Sequence, residues 1–176
     1  CLRVIRSEKK SYGYQVNLGL ELSTGENIAI VDADDRIASN MYAALYEKAV
    51  RSQADYVKGA ARSFWTLSES AICHQVLMQF GEDEYMDGEI ELAPAERPDL
   101  LTRDNFLWYG IFRREFMKQI RLHESPGAAF QDLGGLLQTQ MKAQKAVYLK
   151  EVFYEYRQDN AQSSEHNPKG FRFVWE

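Results

Sequence analysis

The sequence predicts an α/β fold built on a mixed, mostly parallel sheet flanked by helices, and three segments carry that reading. Residues 27–31 form a nearly unbroken apolar run that gives way at once to the carboxylates Asp32, Asp34 and Asp35. Residues 40–53 set Tyr42, Leu45, Tyr46 and Ala49 along one helical stripe, and residues 55–61 return to strand-like composition. Strand, helix and strand in series imply parallel pairing, and in such sheets ligands gather at the carboxyl ends of the strands.

Taken in order, residues 2–6 read as a short strand. The segment QVNLGLELSTG that follows is ambiguous: Val16, Leu18, Leu20 and Leu22 alternate as in a strand, whereas Leu, Glu and Gln are good helix formers and Gly25 falls where a helix would end. Composition favours the helix. Residues 27–31 are apolar enough to be buried on both faces. Asn40 is placed to cap the next helix. Residues 81–98 lapse into a loop dense in acids, read as a solvated surface excursion. Residues 113–119 and 132–145 look helical, and residues 146–156 hold strand-like runs of Val, Phe and Tyr.

At 176 residues the chain has the size of one domain. No apolar run approaches the ~20 residues of a membrane span. A formal net charge of -5 argues against broad attraction to nucleic acid. Cys1 and Cys73 are too few for a disulfide framework, which fits a reducing cytoplasm, with the inner face of the membrane as the only membrane contact expected. A chain that opens on Cys, without Met and directly on LRVIR, reads as cut from something longer.

Asp32, Asp34 and Asp35 repel one another, and the cost rises with burial. Oxygen-rich clusters suit hard divalent cations such as Mg²⁺ or Mn²⁺, which bridge one or two carboxylates to phosphate. An EF-hand loop starting at Asp32 fails, because Ile37 and Ala43 stand where Gly and Glu are needed. A haloacid-dehalogenase-type phosphatase is a poor match, because Arg36 stands where that family has Thr or Val. A solvated turn capping the helix near Asn40 accounts for a lone D-x-D equally well.

Longer motifs separate these readings. The stretch SYGYQVNLGLELSTGENIAIVDADDRI resembles the family 2 glycosyltransferases of the GT-A fold, in which N-x-G-L leads through a helix and a T-G-E turn to an apolar strand ending in D-x-D-D. ESPGAAFQDLGG resembles that family's later segment, where an E-D or Q-D pair, here Gln131 and Asp132, opens a helix. VFYEYRQDNAQSS resembles its Y-x-Y-R followed by a polar run ending in Ser. The three lie in the family's order from about Val4 to Ser164.

The resemblance implies a nucleotide-sugar donor, a glycan or glycolipid acceptor and a divalent metal, Mn²⁺ or Mg²⁺. Asp34 would hold the metal, with Asp32 beside the ribose or the metal. Asp132 would be the general base of an inverting transfer, although an N-cap on its own helix explains it too. Arg157 would face the diphosphate, or stand as a surface arginine after a strand. Trp108 and Tyr109 fall where the family has an aromatic that stacks on sugar, and core packing explains them as well. Asn17 would approach the nucleotide or satisfy backbone groups near the helix. The three histidines have no metal spacing and receive no role.

The family's domain begins with two strands and a helix ahead of the position of Leu2, and these form the nucleoside pocket. A GT-A-like domain without them is expected to expose a sheet edge and to self-associate through it. Two functions therefore stand: an inverting glycosyltransferase of bacterial surface polysaccharide or glycoconjugate synthesis, or a non-catalytic module that keeps the D-x-D motif and holds no donor alone.

Overall fold

The computed structural model describes residues 2–68, 71–77, 80–103, 106–128 and 130–161. The elements run α1 (Tyr12–Leu22), β1 (Asn27–Ala29), β2 (Arg36–Ile37), α2 (Met41–Ser52), β3 (Tyr56–Ser68), β4 (Ala71–Leu77), β5 (Glu89–Leu92), β6 (Gly110–Arg113), α3 (Arg114–Met117), α4 (Leu133–Lys142) and β7 (Ala146–Arg157). Ser164, where the third sequence motif ends, and His166 lie outside the described residues.

The sheet is mixed, in the order β1-β6-β3-β7-β2, with β4 also on β3 and β5 also on β7. The long strands β3 and β7 form its spine. They make the one parallel pair among the described strands, and every other pair is antiparallel. The α/β fold and the mixed sheet are as expected, with a smaller parallel share among the described strand pairs than the sequence suggests. The reason is β6, which enters between β1 and β3 and runs antiparallel to both. The crossover through α2 still gives β1 and β3 a common direction; they are simply not neighbours.

Because successive strand residues point to opposite faces, the spine feeds two core layers. Val57, Ile111 and Val147 join Met41, Leu45 and Ala49 of α2 on one side. Tyr56, Phe112 and Tyr148 join Phe116, Met117 and Leu122 on the other, with Tyr12, Val16 and Leu20 of α1 packed against them. Each such large apolar side chain, once buried, contributes about 1.5–3 kcal/mol. The hydroxyls of Tyr56 and Tyr148 share a 2.6 Å hydrogen bond, so neither enters the core unsatisfied. Asp55, also buried, accepts from the backbone N–H of Gln144 at 2.7 Å and pairs with Arg113, tying the start of β3 to the turn before β7.

The ambiguous segment is helix. The Ser11 side chain accepts the Tyr14 N–H at 3.1 Å, an N-cap that a strand has no use for, and the helix ends at Ser23 rather than Gly25. Asn40 sits at the N-cap of α2 without capping it; its amide donates to Glu151 instead. Residues 2–6 form no strand, and Leu2 and Val4 are exposed, because strand-like composition needs a neighbour to pair with its backbone. The acid-rich loop is largely exposed, as expected, but it contains β5, and its Glu84, Glu89 and Glu91 are paired with Arg103, Lys48 and Lys145.

The largest departure concerns β1. It is an edge strand paired with β6 alone among the described strands, so Ile28 is only partly buried and Ala29 and Val31 are exposed. Burial on both faces needs packing layers above and below the strand, and β1 has a core layer against Ile28 and Ile30 and an open groove beside Ala29 and Tyr42. No helix of the described residues is long and apolar enough to cross a membrane.

Candidate active site

Past the end of β1 the chain turns sharply, with the Asp35 N–H reaching the Asp32 carbonyl at 3.2 Å, and then enters β2. Pairing of Arg36 and Ile37 with Glu155 and Tyr154 pins this turn to the end of β7. Side chains complete the clamp. The Tyr154 hydroxyl donates to Asp35 Oδ2 at 2.7 Å and accepts the Asp32 N–H at 3.2 Å. The Arg157 N–H donates to Asp35 Oδ1 at 2.8 Å, and the Asn160 amide donates to Asp34.

The three carboxylates thus differ. Burial raises the pKa of Asp35, and its bonds from Arg157 and Tyr154 oppose the rise. The Asp32 carboxyl is pushed up to about 6, first by burial and then by the charges of Asp35, Asp34 and Asp132. Neutral donors, not a basic side chain, offset the repulsion at Asp35, while Asp32 bears it.

Asp32 faces a cavity of about 150 Å³ whose walls come from distant parts of the chain: Tyr12 from α1, Phe106 and Trp108 from the segment before β6, Gln131, Asp132 and Leu133 from the start of α4, and Tyr156 from β7. Trp108 packs against Phe106 at 4.8 Å and Tyr156 at 4.9 Å between ring centroids, making one wall aromatic. Tyr12 and Asp32 also line a groove between α1 and β1 that runs past Val16, Leu20 and Ile30. The phenol of Tyr12 is held far above the usual tyrosine range by burial and by Asp32, Asp132 and Asp35, so it stays protonated, a neutral donor among carboxylates.

The structure therefore brings Asp32, Asp132 and Trp108 together and leaves other expected residues elsewhere. Asp132 occupies the N-cap position of α4 but its side chain does not cap the helix. Asn17 is buried outside the cavity. Its amide donates to the Leu122 carbonyl at 2.9 Å and to Glu124 at 3.0 Å, and its carbonyl accepts the Leu122 N–H at 3.0 Å, which is the backbone-satisfying alternative. Tyr109 is a core residue whose hydroxyl accepts the Phe106 N–H. Arg157 is exposed at the end of β7, with its guanidinium on Asp159 at 2.8 Å. Asp34 lies on the exposed outer side of the turn.

Tyr12, Phe106, Tyr154 and Tyr156 were not singled out from the sequence. Two of them are the tyrosines of Y-x-Y-R, so the motif held the signal. Tyr12 had none beyond its place beside Gly13.

Among the described residues no group of three or more His, Cys, Asp or Glu side chains is arranged to hold a metal ion unaided. Ions of the Mg²⁺ type use one or two carboxylates and complete their shell with water and phosphate oxygens. Asp34 and Asp32 offer that partial set of hard oxygens, and the like-charge stress at Asp32 is what a cation relieves. The residues fit a cation shared with a phosphate ligand and do not form a self-sufficient metal cage.

The family described as Glycosyl transferase family 2 matches residues 1–66, which include α1 and the whole Asp32–Asp35 turn. Glycosyltransferase GlyG of Streptococcus pneumoniae is 27% identical over 168 residues, covering 89% of this chain and 52% of its own length. The uncharacterized glycosyltransferase YibD of Escherichia coli is 24% identical over 157 residues, covering 88% of this chain and 44% of its own. The chain thus spans about half the length of these relatives. The crystal structure of S. aureus TarS 1-349 in complex with UDP-GlcNAc superposes on 93% of this chain and 43% of its own at a TM-score of 0.70 and 13% identity; at that identity the likeness is one of fold.

Proposed function

From a chain related to the family 2 glycosyltransferases and folded as a GT-A domain, we propose the donor-handling and base-bearing part of a glycosyltransferase. The observation that carries this reading is the meeting in one cavity of Asp32 and Asp132, about a hundred residues apart, beside an aromatic wall.

The donor is a nucleotide-sugar, and the complex of TarS with UDP-GlcNAc supports a uridine diphosphate sugar as the first to test. The acceptor is a hydroxyl of a glycan or glycolipid, in keeping with synthesis of a bacterial surface polysaccharide or glycoconjugate. Asp132 takes the proton of that hydroxyl as its oxygen attacks the anomeric carbon. The bond from that carbon to the diphosphate breaks on the opposite face, the electron pair leaves with the diphosphate, and the configuration inverts. Aspartate is a weak base at neutral pH, so the rate depends on holding the hydroxyl in line. Asp32 orients the donor from the end of β1, and Tyr12 offers it a neutral hydrogen-bond donor. Asp34, with Asp32 beside it, would hold a divalent cation, which would supply positive charge to a departing diphosphate. Arg157, beyond the clamp, adds a planar guanidinium on the same side.

A non-catalytic module would have no use for the convergence of Asp32, Asp132 and Trp108. The test is nucleoside diphosphate release from a panel of UDP- and GDP-sugars by the complete protein with Mn²⁺ or Mg²⁺ and an acceptor extract. Metal-dependent release that needs both donor and acceptor supports the reading; none with any donor overturns it.

A further inference from the structure

The two walls of the cavity are joined by one buried amide. Gln131 Oε1 accepts both the Ser11 hydroxyl at 2.7 Å and the Gly13 N–H at 3.1 Å, and its Nε2 donates to the Ala128 carbonyl at 2.8 Å. Gln131 and Ser11 are 8% and 2% exposed, so these bonds are shielded from competing water. Ser11 Oγ in turn accepts the Tyr14 N–H, so the carbonyl of Gln131 is wired into the N-terminal cap of α1. The approach is close. A Cβ on Gly13 would lie 2.0 Å from the His123 carbonyl oxygen, so only glycine lets the first turn of α1 sit against the segment before α4.

The residues that flank these contacts are the ones in the cavity. Tyr12 lies between Ser11 and Gly13, and Asp132 follows Gln131. We propose that Gln131 is a positioning residue, which fixes Asp132 at the start of α4 against α1 through the paired acceptance of Ser11 and Gly13. Asn17 grips Leu122 and Glu124 one turn further along α1, so the helix is seated at two points and the first governs the cavity. The inference rests on the transferase reading given above, in which Asp132 is the base.

The latch needs an acceptor at the helix N-terminus, not an amide as such. Gln131→Glu keeps the acceptor and sets its charge at the positive end of α1, where an anion is tolerated. Gln131→Met keeps the length and removes the acceptor. In the complete protein, Gln131→Met is expected to lower kcat by about 10- to 100-fold with the donor KM within about twofold, and Gln131→Glu to recover most of it. A role in folding alone would lower the yield of folded protein and leave kcat per folded molecule unchanged. Equal loss in both variants, or unchanged kcat in Gln131→Met, overturns the proposal. If Gln131→Met does not fold, Gln131→Glu decides: retained kcat supports the latch and a loss as large as that of Asp132→Asn overturns it. Amide hydrogen exchange at Gly13 separates this from failure of the transferase reading, because it needs no substrate. Exchange faster in Gln131→Met than in wild type, and slow again in Gln131→Glu, is expected whatever the reaction; equal rates in all three would remove the latch.

Discussion

The hydroxyl of Tyr154 donates to Asp35 across 119 residues of sequence and accepts the Asp32 N–H with its own oxygen. Tyr154→Phe keeps the ring in the core and removes both bonds. Stability is expected to fall by about 2 kcal/mol, the range for a hydrogen bond to a charged group plus a stranded N–H. A urea midpoint unchanged from wild type would show that the clamp contributes nothing.

Asp34 is exposed, so its loss need not disturb the core. Asp34→Ala should abolish metal-dependent binding of nucleoside diphosphates while the melting temperature holds. Calorimetric affinity unchanged in the presence of Mn²⁺ would exclude Asp34 as the ligand.

Asp132→Asn preserves shape and removes the base. Turnover in the complete protein should drop at least ~100-fold with donor affinity nearly constant. Near-normal turnover would take Asp132 out of the mechanism.

Lys58 is fully buried, with Nζ donating to the Phe106 carbonyl at 2.7 Å beside the rings of Tyr56, Tyr109 and Phe112. Burial holds its pKa well below the lysine range. The unfolded chain, with a lysine pKa near ~10.4, therefore binds the extra proton between the two values. Stability must rise with pH across that window, by up to ~1.4 kcal/mol per unit from this group. Lys58→Met should flatten the rise on the alkaline side, below the free lysine pKa. Parallel pH profiles for the two proteins would contradict the assignment.

The edge of β1 that no described strand pairs, with Tyr42 and Tyr46 of the neighbouring α2 exposed beside it, is a template for strand pairing. Through that edge the chain is expected to self-associate. Ala29→Lys should reduce the association by charging the edge. Sedimentation showing a monomer at tens of micromolar for the unsubstituted chain would refute this.

What was legible in the sequence was local or carried by long motifs. Composition correctly chose helix over strand for α1, and the apolar-to-acidic change at Asp32 marked the end of β1. Apolar content does not show whether both faces of a strand are covered, so the exposure of Ala29 and Val31 is not readable from the run itself. The parallel share of the sheet was overestimated because nothing local to β6 says that it inserts between β1 and β3. The contribution of Tyr12 was unreadable, since it depends on α1 meeting α4 through Gln131. Asn17 suits two tasks in the sequence, and only the fold shows Leu122 pairing with both halves of its amide.

The clamp on the acidic turn also orders events in time. Among the described residues, the groups that hydrogen-bond the Asp34 and Asp35 side chains come from residues 154–160, whereas the turn itself is made within the first forty. A chain growing from its N-terminus therefore completes the turn long before the groups that hold it exist, and α2, β3 and β6 can take their places while the carboxylates remain unrestrained. The clamp on the turn therefore forms late, when β7 closes onto β3 and reaches β2, and closing so long a loop makes that step slow.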